Sequence, residues 1–264
     1  MEQQTPVRKE LNHKLNIKRM AVILPFLLVV MAALPMKAQE LLPADSLLQR
    51  EDSLKQIKSL LEIAQYQATR NTPSSIHRAQ QALKMSRRGK FEPQTARSYY
   101  HLGFAHYNLN HYDSANIYLQ KARDLSREFD DQTTLALTFN RIGNTCQLQG
   151  KYDKALENYQ QALEINQQHD NRQEVARSLT NIGSVYRTFG KYDEAIQFHL
   201  EALSIYENTS AREGIAWASL NIARLFKLSE DYTKSLEYLD NALEIYKDIA
   251  KEEGVETGVT LCLK

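Results

Sequence analysis

The sequence predicts an all-α fold, a solenoid of antiparallel helix pairs stacked along the chain, and three observations carry that prediction. The stretch "GKYDKALENYQQALEI", Gly150–Ile165, returns forty residues later as "GKYDEAIQFHLEALSI", Gly190–Ile205. Self-similarity at such a period marks a repeat architecture. Laid out at forty residues, the units align without a gap and small residues fall into columns. One column is Ala96, Ala136, Ala176 and Ala216; a second is Gly103, Gly143, Gly183 and Ala223. Ala115, Ala155, Ala195 and Ser235 form a third, and Ala122, Ala162, Ala202 and Ala242 a fourth. Between these columns apolar residues recur at helical spacing, as in Leu179, Ile182 and Tyr186, then Ile196, Leu200 and Leu203. Small residues in register permit helices to approach to roughly 8–10 Å, so each unit is a pair of packed helices.

The chain begins with a different composition. Residues Met1 to Met20 carry Arg8, Lys9, Lys14, Lys18 and Arg19 against Glu2 and Glu10, and "AVILPFLLVVMAAL" follows at Ala21–Leu34. That apolar run falls short of the roughly twenty residues a membrane span needs. With "PMKAQ" after it, the segment 1–38 reads as a secretory signal cleaved after Ala38. The expected location is outside the inner membrane, in the periplasm; the rival reading is an uncleaved segment anchoring the chain to that membrane. Residues 1–38 hold six Lys/Arg and two acidic residues, a net of +4, so the rest carries −3 against the +1 of the whole chain. Such a body lacks the basic footprint of a nucleic-acid binder, and no nucleic acid is expected as a partner.

Residues 39–93 read as an N-terminal helical cap containing a degenerate repeat. "SLKQIKSLLEIAQYQA" (Ser53–Ala68) supplies its first helix and "SSIHRAQQALKMSRR" (Ser74–Arg88) its second. Four units follow at 94–133, 134–173, 174–213 and 214–253. Within each, Asn110, Gly150 and Gly190 suit the left-handed conformation that ends a helix. Glu230 stands at that place in the fourth unit, so its turn is expected to be less tightly specified. Asp113, Asp153, Asp193 and Thr233 are expected to cap the second helices. The tyrosine column Tyr112, Tyr152, Tyr192 and Tyr232 is read as packing across these turns. Residues 254–264, "GVETGVTLCLK", echo "GIAWASLNIA" at Gly214 as the incomplete start of a fifth repeat. A solenoid normally closes with a polar cap, so the C-terminal end is expected to self-associate.

These columns resemble the tetratricopeptide repeat family over about residues 94–253. The commonest form of that repeat has thirty-four residues; the forty-residue period here is similar to kinesin light chains and related peptide-binding scaffolds. The resemblance implies a right-handed superhelix whose first helices line a concave groove for a protein or peptide.

Catalytic signatures are absent: no phosphate-cradling glycine loop, HExxH, GxSxG or CxxC appears. The chain is therefore read as a binding protein, not an enzyme, with no cofactor. His101, His106 and His111 are spaced by five residues, about 140° around a helix, so they do not share a face as metal ligands would. Cys146 sits on an apolar face, far from Cys262, and reads as a small buried hydrophobe.

The first helices carry a polar stripe instead. In the third unit it holds Arg177, Asn181, Ser184 and Thr188, with Arg187 adjacent. Its counterparts are Arg97, His101 and Phe104 in the first unit, with Tyr100 adjacent, and Arg141 and Asn144 in the second, with Asn140 adjacent. The fourth unit has Trp217, Asn221 and Arg224. Asn both donates and accepts, so a row of Asn can pair with an extended peptide backbone whatever its sequence. Arg adds recognition of carboxylates, and the aromatic residues add apolar anchors. In the forty-residue repeats that this chain resembles, Asn on the first helix has that purpose. No Lys falls on the stripe, unlike the lysine-rich clamp of chaperone-binding relatives. The expected function is a peptide-binding scaffold; the alternative is the truncated sensor portion of a bacterial membrane histidine kinase or helix-turn-helix signalling regulator.

Overall fold

The computed structural model describes residues 44–252. The expected export signal at 1–38, the expected fifth-repeat fragment at 254–264 and Cys262 lie outside the described residues. The chain divides into two units, Met1–Ser53 and Leu54–Lys264. The described residues form helices α1 (Ala44–Gln67), α2 (Thr72–Arg88), α3 (Glu92–Asn108), α4 (Tyr112–Glu128) and α5 (Gln132–Leu148). They continue as α6 (Tyr152–Gln168), α7 (Arg172–Thr188), α8 (Tyr192–Asn208), α9 (Arg212–Leu228) and α10 (Tyr232–Glu252). The second unit is a right-handed α-solenoid in which α3 packs on α4, α5 on α6, α7 on α8 and α9 on α10. Helices α3 to α9 are each 17 residues long. The first helix of each repeat starts two residues before the boundary expected from sequence, at Glu92, Gln132, Arg172 and Arg212.

The small columns are where the paired helices meet. Ala96, Ala115, Ala122, Ala155, Ala162, Ala176, Ala195, Ala202 and Ala216 are completely buried. A Cβ built on Gly143 would stand 2.5 Å from the Tyr159 ring, and one on Gly103 would stand 2.7 Å from Leu119. Glycine at these positions is a requirement of close approach. Cys146 is buried and free, as its apolar position predicts, and burial pushes its thiol up from the ordinary value.

The turns follow one rule at twenty-residue intervals. Lys90, Asn110, Asp130, Gly150, Asp170, Gly190, Ser210 and Glu230 all have positive φ, between +51° and +73°. At the end of α3, the Asn110 amide donates to the Tyr107 carbonyl at 2.9 Å and the His111 amide to His106 at 3.0 Å. This is the Schellman pattern, which satisfies carbonyls that a helix end leaves unpaired. Its recurrence corrects two expectations. Glu230 does not loosen the fourth turn: the Asp231 amide donates to Phe226 at 2.9 Å as in the other turns, because backbone bonds set the conformation. Asp113, Asp153 and Asp193 do not cap their helices either. The residue closing each Schellman turn (His111, Lys151, Lys191) is already the N-cap, which leaves each Asp inside the first turn with no capping bond. There its charge still meets the positive end of the helix dipole. Thr233 likewise lies inside α10, and Asp231 accepts from the Lys234 amide at 3.2 Å instead.

Tyr152 packs edge-on against Phe189 of the next repeat, ring centres 5.8 Å apart, and Tyr112 approaches Tyr107 at 6.1 Å. Tyr112, Tyr152 and Tyr192 are half-buried. In the last repeat Tyr232 is 60% exposed and Leu236 59%.

Candidate functional site

The first helices of successive repeats, α3, α5, α7 and α9, touch one another in series. Their shared face carries the polar stripe. One column along it reads His101, Arg141, Asn181 and Asn221. Arg141 and Asn181 are half-buried, whereas His101 and Asn221 are 4% and 5% exposed.

The structure gathers part of the predicted site at the boundary of the first two repeats. Tyr100 and Phe104 stack with ring centres 6.5 Å apart. The Arg141 guanidinium lies over Phe104 at 3.9 Å and over Tyr107 at 5.1 Å. Its Nε is buried with no hydrogen-bond partner. The Tyr159 hydroxyl donates to Asn144 Oδ1 at 2.7 Å and lies 2.9 Å from Gln147 Oε1. Burial pushes the Tyr159 and Tyr107 phenols up, with Arg141 opposing both shifts. The arrangement is a cation supported by two rings beside a part-buried amide–phenol network.

Asn140 lies one helical position away and is 5% exposed. Its amide donates to Ser178 Oγ at 3.0 Å, and its carbonyl accepts from Asn181 Nδ2 at 3.5 Å. Ser178 in turn donates to the Glu174 carbonyl at 3.0 Å. Asn140 thus braces α5 against α7 and steers Asn181. Asn221 donates to the Trp217 carbonyl at 2.9 Å, within its own helix. Arg177 pairs with Glu174 at 2.9 Å. Arg97, Arg187, Arg224 and Trp217 are exposed along the stripe, and the structure does not draw them into that central cluster.

Several members were not singled out from sequence: Tyr107, Gln147, Tyr159 and Ser178. Ser178 and Asn140 are separated by nearly one repeat, a spacing at which two polar residues in adjoining columns meet across neighbouring first helices. Among the described residues no group of three or more His, Cys, Asp or Glu is placed to hold a metal ion.

Sequence comparison places the description "Tetratricopeptide repeat" on residues 134–208 and again on 95–128. Residues 185–260 match "Uncharacterized protein conserved in bacteria (DUF2225)". No curated protein matches the chain. Similar solved structures include BtubC (BKLC) from P. vanneervenii, 20% identical over 75% of this chain and 92% of that one, with TM-score 0.57. The Rap conjugation gene regulator of plasmid pLS20, in complex with the Phr* peptide, is 18% identical over 75% of this chain, with TM-score 0.64. This chain spans only 55% of that regulator's length. A Podosopora anserina putative kinesin light chain with nearly identical TPR-like repeats is 16% identical over 74% of this chain and 96% of that one, with TM-score 0.55. At these identities the likeness is one of fold. Repeat descriptions, small-residue columns and paired helices agree: residues 95–128 and 134–208 are tetratricopeptide repeats.

Proposed function

We propose that the chain is a non-catalytic scaffold that holds an extended peptide segment of another protein in the groove lined by α3, α5, α7 and α9. The observation that carries this reading is the groove column in which Arg141 and Asn181 stand half-buried, with Arg141 seated on the aromatic ledge that Phe104 forms with Tyr100. Polar groups held partly out of water next to apolar anchors suit a ligand that brings both backbone amides and side chains. A Rap regulator of the same fold, whose structure is in complex with a peptide, supports the class of ligand. Trp217, Asn221 and Arg224 extend the groove, Arg97 begins it, and Arg177 and Arg187 flank its third repeat, with Asn140 and Asn144 as its braces.

The test is capture of peptides from a phage-displayed library by the full chain. Arg141→Ala combined with Asn181→Ala should abolish capture while helical content stays close to wild type and melting falls by no more than a few degrees. Capture that survives the double change would remove the groove from the function.

The basic, then apolar, composition of residues 1–38 supports export to the periplasm as part of the same proposal. Mature protein from the native host should then begin at Gln39. An intact Met1 in a membrane fraction would instead favour the anchor.

A further inference from the structure

At its N-terminal end the groove deepens into a pocket of about 380 Å³ between α1 and α3. Lys58, Glu62 and Gln65 line it from α1, at a helical spacing that puts all three on one stripe, and Gln94, Arg97 and His101 face them from α3. Leu61, 3% exposed, is the apolar member of the lining.

His101 is the informative residue. Its ring is 4% exposed, held edge-on by Tyr100 at 5.2 Å, and its Nδ1 has no hydrogen-bond partner. A buried polar atom left unsatisfied is costly, so its retention at a pocket calls for an explanation. Burial holds the imidazole neutral, and the nearby Arg97 and Arg141 charges reinforce this, lowering it to about 3. The neutral ring carries one N–H and one acceptor nitrogen inside a positive field. The lining itself has two cations and one carboxylate, leaving one positive charge unanswered. A basic ligand side chain is repelled by that field. A neutral amide meets the hydrogen-bonding groups but leaves the charge. A carboxylate answers both, taking charge-assisted hydrogen bonds from Arg97 or Lys58 and a further one from an amide or the imidazole.

We propose that this pocket receives an acidic side chain, glutamate or aspartate, of the peptide held in the groove, and so sets which peptides bind. The inference rests on the peptide-binding reading above, and adds a position and a chemistry to it.

The probes are blocked pentapeptides, acetyl-GGEGG-amide, acetyl-GGQGG-amide and acetyl-GGQGG with a free C-terminal carboxylate. Each is titrated into full-length protein carrying isotope-labelled histidine at pH 7, with the His101 ring signal identified by its loss in His101→Phe. The Glu peptide should shift that signal saturably, and about tenfold more tightly than the Gln peptide, the scale of a charge-assisted bond. Arg97→Gln and Lys58→Gln should each narrow the difference. Equal responses to Glu and Gln, no response to either, or a stronger response to the free C-terminus than to Glu would overturn the proposal. The library experiment separates the two readings. Peptides captured without enrichment in acidic residues would sink the pocket and spare the groove. A Glu-specific His101 shift with no library capture would do the reverse.

Discussion

The guanidinium of Arg141 lies 3.9 Å from the centre of the Phe104 ring, so a cation of the second repeat rests on an aromatic of the first. Tyr107 approaches the same guanidinium at 5.1 Å. Such contacts contribute about 0.5–2 kcal/mol and hold the side chain in one place. Lysine keeps the charge but not the planar fork.

Arg141→Lys should therefore weaken a peptide selected on the wild-type groove by roughly three- to tenfold while leaving melting almost unchanged. Phe104→Ala should weaken the same peptide and also lower stability, because it removes packing against Tyr100. Fluorescence anisotropy beside thermal melts reads both. Unchanged affinity in Arg141→Lys would make the stack a packing feature only.

Two glycines separate close approach from backbone conformation. A Cβ on Gly143 would meet the Tyr159 ring at 2.5 Å, whereas nothing lies within 4 Å of one on Gly150, whose φ is +73°. Gly143→Ala must displace Tyr159 and strain its bond to Asn144, costing about 1–3 kcal/mol. Gly150→Ala meets only the left-handed penalty, about 1 kcal/mol. Urea titrations should rank them in that order, with the amide–phenol network disturbed only in Gly143→Ala.

The helix pairs, the small columns and the turns at Asn110, Gly150 and Gly190 were legible because each is written in residue types with one physical meaning. The turns at Lys90, Asp130, Asp170 and Ser210 were not, since neither glycine nor asparagine stands at the left-handed position. Backbone hydrogen bonds impose the left-handed residue there, and side-chain preference is overridden. The caps were misassigned because the preceding turn already consumes the N-cap position. In the groove, column and period placed Arg141 and Asn181. The partnership of Asn140 with Ser178 needed the curvature that brings α5 to α7. The pocket needed α1, whose degenerate repeat keeps Leu61 in the column of His101, Arg141 and Asn181, and so hides its polar stripe.

One substitution depends on the repeat that carries it. Leu156 is half-buried against a core that includes Ile182 and Val185 of the following repeat, and Ile196 is half-buried, while Leu236, in their column, is 59% exposed. Leu156→Lys should cost about 1–3 kcal/mol, as the loss of partly buried apolar area predicts, and Leu236→Lys less than about 0.5 kcal/mol. Equal losses in denaturant titrations would mean that α10 is covered as fully as α6.

His199 gives the most discriminating prediction, because its column is otherwise Leu119, Tyr159 and Leu239. The ring is completely buried against Gly183, and neither nitrogen has a hydrogen-bond partner. Burial lowers it from 6.5 to about 4, with the Arg187 charge acting in the same direction. Above pH 6.5 the imidazole is neutral in both the folded and the unfolded chain, and the full stability is present. As pH falls below 6.5 the unfolded chain binds a proton that the folded one refuses, so stability drains away until the folded pKa near 4 is reached. The loss over that window is on the order of 3 kcal/mol. His199→Leu should remove this acid-dependent loss and leave a flatter profile, since Leu119 shows that leucine fits against the equivalent glycine. It should also raise stability at pH 7 by eliminating two unsatisfied buried nitrogens. Melting temperatures of wild type and variant from pH 7 to pH 4 make the comparison. His101, also held neutral, titrates in both proteins and cancels in their difference. Parallel profiles would mean that the buried imidazole finds a partner, and the third repeat would then have no built-in sensitivity to acid at this position.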